Sequence, residues 1–306
     1  MQPPRLGAAA CWLLDSGFWL LDSGSWILYP QFMRPVIVTL ALFLGIALTV
    51  NPQPPKRKKL LAIGATKGYQ HTAMSHALAT LERLGQESGL YDTHIRTDIE
   101  PLTKEKLKAG NAKNLDFYDA VVFYTTGELE LTDRQKKDLL AFIHDDGKGF
   151  IGIHCAIDTL YDWPEYGEMI GGYFKEHPWG VFDAPVTVDD PNFPGMQGFP
   201  HAFVFKDEMY QVRNFSPDKV HVIARMDAAK LDLTNPRVMP EHRVDKQFPL
   251  AWAKNYGKGR VYYNTLGHRE ETWDRKDVQT MYLEAVKWAM GLTSADVTPG
   301  STATSH

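Results

Sequence analysis

Leu60-Leu61-Ala62-Ile63-Gly64 is an unbroken apolar run closed by glycine. A strand buried on both faces reads this way, because neither side alternates with polar residues. The loop Ala65-Thr66-Lys67-Gly68-Tyr69-Gln70-His71 follows. Residues 72–86 then place Ala73, Met74, Ala77, Leu78, Leu81 and Leu84 at helical spacing, with Gly85 or Gly89 as the stop. The same alternation continues downstream. Strands are predicted over 91–97, 119–124 and 150–155, and Thr132-Asp133-Arg134-Gln135 opens a helix running to His144 with a capping box. Strand and helix in alternation require crossover connections, hence an α/β fold with a doubly wound, mainly parallel sheet of the flavodoxin-like kind.

Beyond residue 160 the rhythm loosens. Strands are expected over 181–188, 202–205, 220–226, 249–253 and 260–266, extending the sheet or forming an antiparallel annex, with a closing helix over 278–290. One domain therefore spans 59–292. Residues 51–58 form a linker, and the Ser-, Thr-, Gly- and Pro-rich 293–306 a disordered tail.

The N-terminal residues do not share this pattern. Trp12, Trp19 and Trp26 head three seven-residue echoes carrying Gly, Ser and Pro, poor helix material that resembles a duplicated stretch rather than a coiled-coil seam. Met33-Arg34, an apolar run over 36–50 and Pro-rich 51–55 have the plan of a secretory signal, with an uncleaved anchor as the alternative. On this reading 1–32 is not part of the mature protein, translation starts at Met33, 33–50 is a signal or N-terminal membrane anchor, and the product is exported, periplasmic or extracellular. Of the two cysteines, Cys11 would then be lost, leaving Cys155 without a partner.

Composition narrows the function. The 306 residues include 33 Lys and Arg against 37 Asp and Glu, a formal net charge of −4, so no positive field favours a nucleic acid. Phosphate-cradling glycine motifs, a C-x-x-C pair and an H-E-x-x-H helix are all missing from the sequence, which argues against a nucleotide cofactor and a zinc-protease site. Gly257-Lys258-Gly259 reads as a hairpin turn.

The 11 histidines all lie beyond residue 50. Ligands of open α/β sheets bind outside the carboxyl ends of the strands, where His71, His154 and His268 fall, with His177 in a nearby loop. His76, five residues after His71, is turned about 140° around the helix and cannot face the same site. Gly152-Ile153-His154-Cys155-Ala156 has a nucleophile-elbow look, but the register puts His154, not Cys155, at the nucleophile position. That disfavours a Cys-dependent amidotransferase-like hydrolase. Asp158 can orient His154, join a metal shell or cap a turn.

Gly152-Ile153-His154 with Asp158-Thr159, Gly171-Gly172-x-Phe174-x-x-His177-Pro178-Trp179, Asp207-Glu208-x-Tyr210, Phe215-Ser216-Pro217, Pro249-x-Ala251-Trp252 and Gly259-Arg260-Val261…Leu266-Gly267-His268 together resemble the ThuA-like (trehalose utilisation) family. The resemblance implies a class I glutamine amidotransferase-like fold without its catalytic Cys, and carbohydrate catabolism on keto-glucosides. In Asp189-Asp190-Pro191-Asn192-Phe193-Pro194 this sequence lacks the His-Pro pairing that the resemblance leads one to expect, so the role of that His is either absent or taken by His201.

The expected chemistry is metal-assisted elimination, hydrolysis or isomerisation of a keto sugar. Its acid–base candidates are His154, Asp158, His268 and Glu208, and its metal candidates are His71, His154, His177 and His268. Imidazole and carboxylate ligands suit a divalent ion such as Zn or Mn. Trp163, Trp179 and Tyr69 are candidates for packing on a sugar, whereas Trp252, inside a strand, reads as core. A non-catalytic exported sugar-binding protein is the competing expectation, and a small-molecule carbohydrate the expected partner in both cases.

Overall fold

The computed structural model describes residues 56–300. The readings placed on 1–55 and on 301–306 lie outside the described residues. The chain builds β1 (Lys58–Ile63), α1 (Ala73–Ser88), β2 (Tyr91–Arg96), β3 (Ala120–Phe123), α2 (Asp133–His144), β4 (Gly149–Ile153), α3 (Pro164–Ile170), β5 (Tyr173–Glu176), β6 (Val181–Val188), β7 (Ala202–Glu208), β8 (Gln211–Arg213), β9 (His221–Met226), α4 (Pro240–Asp245), β10 (Pro249–Tyr256), β11 (Gly259–Asn264), α5 (Glu270–Asp274) and α6 (Lys276–Ala289).

Nine strands make one sheet in the order β2-β1-β3-β4-β11-β10-β9-β6-β7, and β5 pairs with β8 in a separate ribbon. The first five are parallel. The other four add in antiparallel fashion, starting with the β10–β11 hairpin that turns at Gly257-Lys258. The later strands therefore extend the main sheet rather than form an annex. The β5–β8 ribbon and the short helices α3 to α5 were not anticipated, because each is too short to show a period.

Central strands are buried throughout, as the continuous apolar runs demand: β3 and β4 have no exposed residue. One core lies beneath α1 and α6, the other beneath α2 and α3. The α2 N-terminus carries the expected capping box. Thr132 Oγ1 accepts from Gln135 N at 3.2 Å, and Gln135 Oε1 accepts from Thr132 N at 3.1 Å. Residues 293–300 have no regular structure, yet Val297 is buried and the Thr298 carbonyl is 3.0 Å from His221 Nδ1. The segment up to Gly300 thus packs where its composition predicted a free tail. No helix among the described residues is long and apolar enough to cross a membrane.

The last hairpin shapes the site. β6 pairs with β9 only through Val186–Val188, whereas it pairs with β7 along Val181–Thr187. Residues 181–185 and 204–208 therefore leave the sheet as a two-stranded arm. Four antiparallel steps from β11 to β7 aim the end of β7 the same way as the carboxyl ends of β1, β4 and β11. A flat sheet would hold β7 about 19 Å from β11, at about 4.8 Å per strand. Asp207 Oδ2 nevertheless accepts from Gly267 N at 2.8 Å, so this half of the sheet curls back over the rim. Register shifts in the β9–β10 pairing near Ala251 mark where the bend is introduced.

Candidate metal and acid–base centre

Four chain segments deliver side chains to this rim. His71 comes from the loop after β1, His154 from the first residue past β4, Glu208 from the tip of the β6–β7 arm and His268 from the loop after β11. One ligand atom from each of the four lies within 4.8 Å of every other. His268 Nδ1 stands 3.1 Å from Glu208 Oε2 and 3.2 Å from His154 Nε2, which is itself 3.6 Å from Glu208 Oε2. Donors about 2.0–2.2 Å from a tetrahedral ion are spaced about 3.3–3.6 Å from one another. The three measured separations approximate the edges of such a tetrahedron.

Surrounding groups fix these side chains. His154 has φ +44°, the left-handed turn at the strand end, and its Nδ1 lies 2.7 Å from the Thr265 carbonyl. A carbonyl only accepts, so Nδ1 carries a proton and Nε2 is the nitrogen turned toward the cluster. Tyr210 packs on the His154 ring at 4.3 Å, and its hydroxyl is 3.4 Å from His71 Nε2. His71 Nδ1 is buried with no hydrogen-bond partner.

The His268 loop is pinned on three sides. Gly267 N donates to Asp207, and its carbonyl accepts from Tyr124 Oη at 2.9 Å and from Trp273 Nε1 at 3.1 Å. Gly267 has φ +133°, and a Cβ there would come within 3.0 Å of the Trp273 ring, so only glycine fits. Asp207 further accepts from Arg269 N and Thr272 Oγ1. This fully buried carboxylate places His268 without touching the cluster.

Burial drives the His71 pKa down to about 3, and the facing His154 and His268 rings add to the effect. For Glu208 burial alone would favour the neutral acid, but the adjacent His154 and His268 side chains overcome it and hold the carboxyl well below its usual range. Burial likewise works against a charged His268, and Glu208 and Asp207 outweigh it, raising that pKa. The cluster thus sets an ionised carboxylate beside a neutral, lone-pair-bearing imidazole, a donor set that suits a zinc- or manganese-like ion.

A model of the family described as trehalose utilisation matches residues 59–289. The chain belongs to the ThuA family. Among solved structures it is similar to a ThuA-like protein from Bacteroides uniformis, with 21% identity, 78% of this chain and 94% of that chain covered, and a TM-score of 0.61. It is also similar to a ThuA-like protein from Parabacteroides merdae, with 18% identity, 79% and 92% covered, and a TM-score of 0.58. No curated protein matches. Membership carries a carbohydrate-related role, and the α/β fold is that of the family.

Within this ThuA chain the structure gathers His71, His154, Glu208 and His268. His177, expected among the metal ligands, stands beside the quartet rather than in it, its Nδ1 3.4 Å from Glu208 Oε1. The carboxylate takes its place because the curled arm carries Glu208 inward, which strand periodicity does not reveal. Asp158 accepts from Tyr161 Oη at 2.5 Å. Burial raises its pKa against the pull of that hydrogen bond and of His154 and His177.

The aromatic candidates separate. Tyr69 is 66% exposed, with its ring against His71 at 4.9 Å. Trp163 is instead buried and stacked on Tyr166 in the core, so it offers no face to a sugar. Trp179 turns onto Phe182 and Phe248. His76 pairs with Asp274 on the outside of α1. His201 precedes β7, at the opposite end from Glu208, and cannot serve the rim. Cys155 is buried, its thiol pushed up by burial and by Asp158. Sequence reasoning missed the supporting roles of Asp207 and Tyr210, although both stand in the Asp207-Glu208-x-Tyr210 segment.

Proposed function

We propose that this ThuA protein is an exported enzyme that moves protons on a keto sugar, a 3-keto-glucoside, in an elimination, hydrolysis or isomerisation. One observation carries the reading: three imidazoles and a carboxylate converge within 4.8 Å of one another at the carboxyl ends of the strands. His71, His154, Glu208 and His268 would hold a divalent ion of the zinc or manganese class. When bound, that ion supplies a Lewis acid for the sugar carbonyl.

With those four side chains occupied as ligands, proton handling falls to Asp158 and His177. Burial raises the Asp158 pKa, so this carboxyl takes up a proton more readily than an ordinary aspartate, as a general acid or base requires. His177 has 35% of its side chain exposed beside the Glu208 carboxylate, open to solvent for returning that proton. Tyr69 offers an aromatic face at the entrance for a pyranose ring. Export rests on the apolar segment 36–50 alone.

Product identification after incubation with paired keto and native glucosides tests the reading. The expected outcome is conversion of the keto form only, abolished in His268→Gln and by chelation. Binding of an unoxidised saccharide with no turnover of either form would instead establish a sugar-binding protein.

A further inference from the structure

A cavity of about 390 Å³ opens on the face of the β5–β8 ribbon turned away from the imidazoles. Tyr173 and Arg213 are cross-strand partners and share that face, whereas the next residue, Phe174, packs on Tyr210 and His177 at the imidazole side. The cavity walls include Tyr161, Tyr173, Glu168, Arg213, Lys219 and Lys254. Three cations thus face one carboxylate.

Their pairing is incomplete. Lys254 is only 7% exposed, and its ammonium donates to the Glu168 backbone carbonyl at 2.9 Å, with no described carboxylate within 4.0 Å. Arg213 also has no described carboxylate within that distance. Its Nε is buried without a hydrogen-bond partner, and its guanidinium lies 5.0 Å over the Tyr161 ring. The one nearby carboxylate, Glu168, reaches the exposed Lys219 at 3.5 Å. Buried cations are costly unless an anion compensates them. A planar guanidinium lying over a ring, with ammonium groups lining the same cavity, matches a carboxylate or phosphate group.

We propose that this cavity is a binding site for the oxyanion of a small molecule, a carboxylate such as that of a sugar acid or a phosphate, held by Arg213, Lys254 and Lys219. The cavity shares a wall with the imidazole centre, since the Tyr161 hydroxyl donates to Asp158. Its ligand binding does not depend on the metal reading.

Calorimetric titration of the full chain with inorganic phosphate, gluconate and glucose tests the site and separates its two chemical sources. At least one oxyanion is expected to bind with a Kd of about 1 mM or tighter, and glucose far more weakly. Lys254→Met and Arg213→Gln should each weaken it about tenfold or more. Lys219→Glu reverses an exposed charge that the fold does not need, and it should also weaken binding, so the test survives if a buried variant fails to fold. His268→Gln should leave the affinity unchanged. Absence of oxyanion binding, equal binding of glucose, an affinity unmoved by Lys219→Glu and Lys254→Met, or loss of binding in His268→Gln would each overturn the proposal.

Discussion

His154 stands at the sharp turn that ends β4, its backbone held in the left-handed region at φ +44°. Cys155, one residue on, is buried in the core and hard to ionise. Cys155→Ser is therefore expected to keep keto-glucoside turnover within about a factor of two while losing about 1–2 kcal/mol of stability in denaturant unfolding, from a hydroxyl buried without a partner. Asp207 is the opposite case, remote from the cluster and yet decisive for it. Replacing it by Asn sets an amide group against the N–H groups of Gly267 and Arg269. Metal affinity measured by competitive chelation should fall about 10- to 100-fold in Asp207→Asn. The histidines were legible in the sequence because each follows a strand. Asp207 was not, because its partners, the Gly267 and Arg269 N–H groups and the Thr272 hydroxyl, lie some sixty positions away and only the folded arm brings them close.

Helix α2 shows how a single carboxylate ties an element to its surroundings. Asp138 accepts from Thr103 Oγ1 and Lys104 N, each at 2.8 Å, and from Arg134 Nε. Burial pushes its pKa upward, and these hydrogen bonds reverse the shift and hold it below the ordinary aspartate value. A depressed folded pKa stabilises the protein above the unfolded pKa near 3.9, and the contribution disappears as pH falls through the folded value. Asp138→Asn should thus cost about 1–3 kcal/mol at pH 7 in chemical denaturation, with the difference from wild type shrinking below about pH 4. Local signals of this kind read well: the Thr132–Gln135 cap was visible because it needs only four consecutive residues. The β6–β7 arm was invisible as an arm, since its strands alternate like any other and nothing in their composition shows that β9 stops pairing at Val186.

For the molecule as a whole, the parallel half of the sheet was dictated by its apolar runs, and the antiparallel half brings the carboxylate. The two halves meet only because the sheet curls, which makes the site a property of the complete domain rather than of any one motif. The imidazoles alone give a neutral set, and Glu208 adds the negative charge that favours a divalent cation over water. Glu208→Gln should therefore lower metal occupancy at least about tenfold without changing the fold seen by circular dichroism. The most direct test is elemental analysis of tag-free protein joined to a keto-glucoside assay in excess chelator. Close to one zinc- or manganese-class ion per chain is expected, depleted in His154→Ala, with activity lost on chelation and restored by the metal. Metal-free protein that still converts a 3-keto-glucoside in the chelator would contradict that expectation.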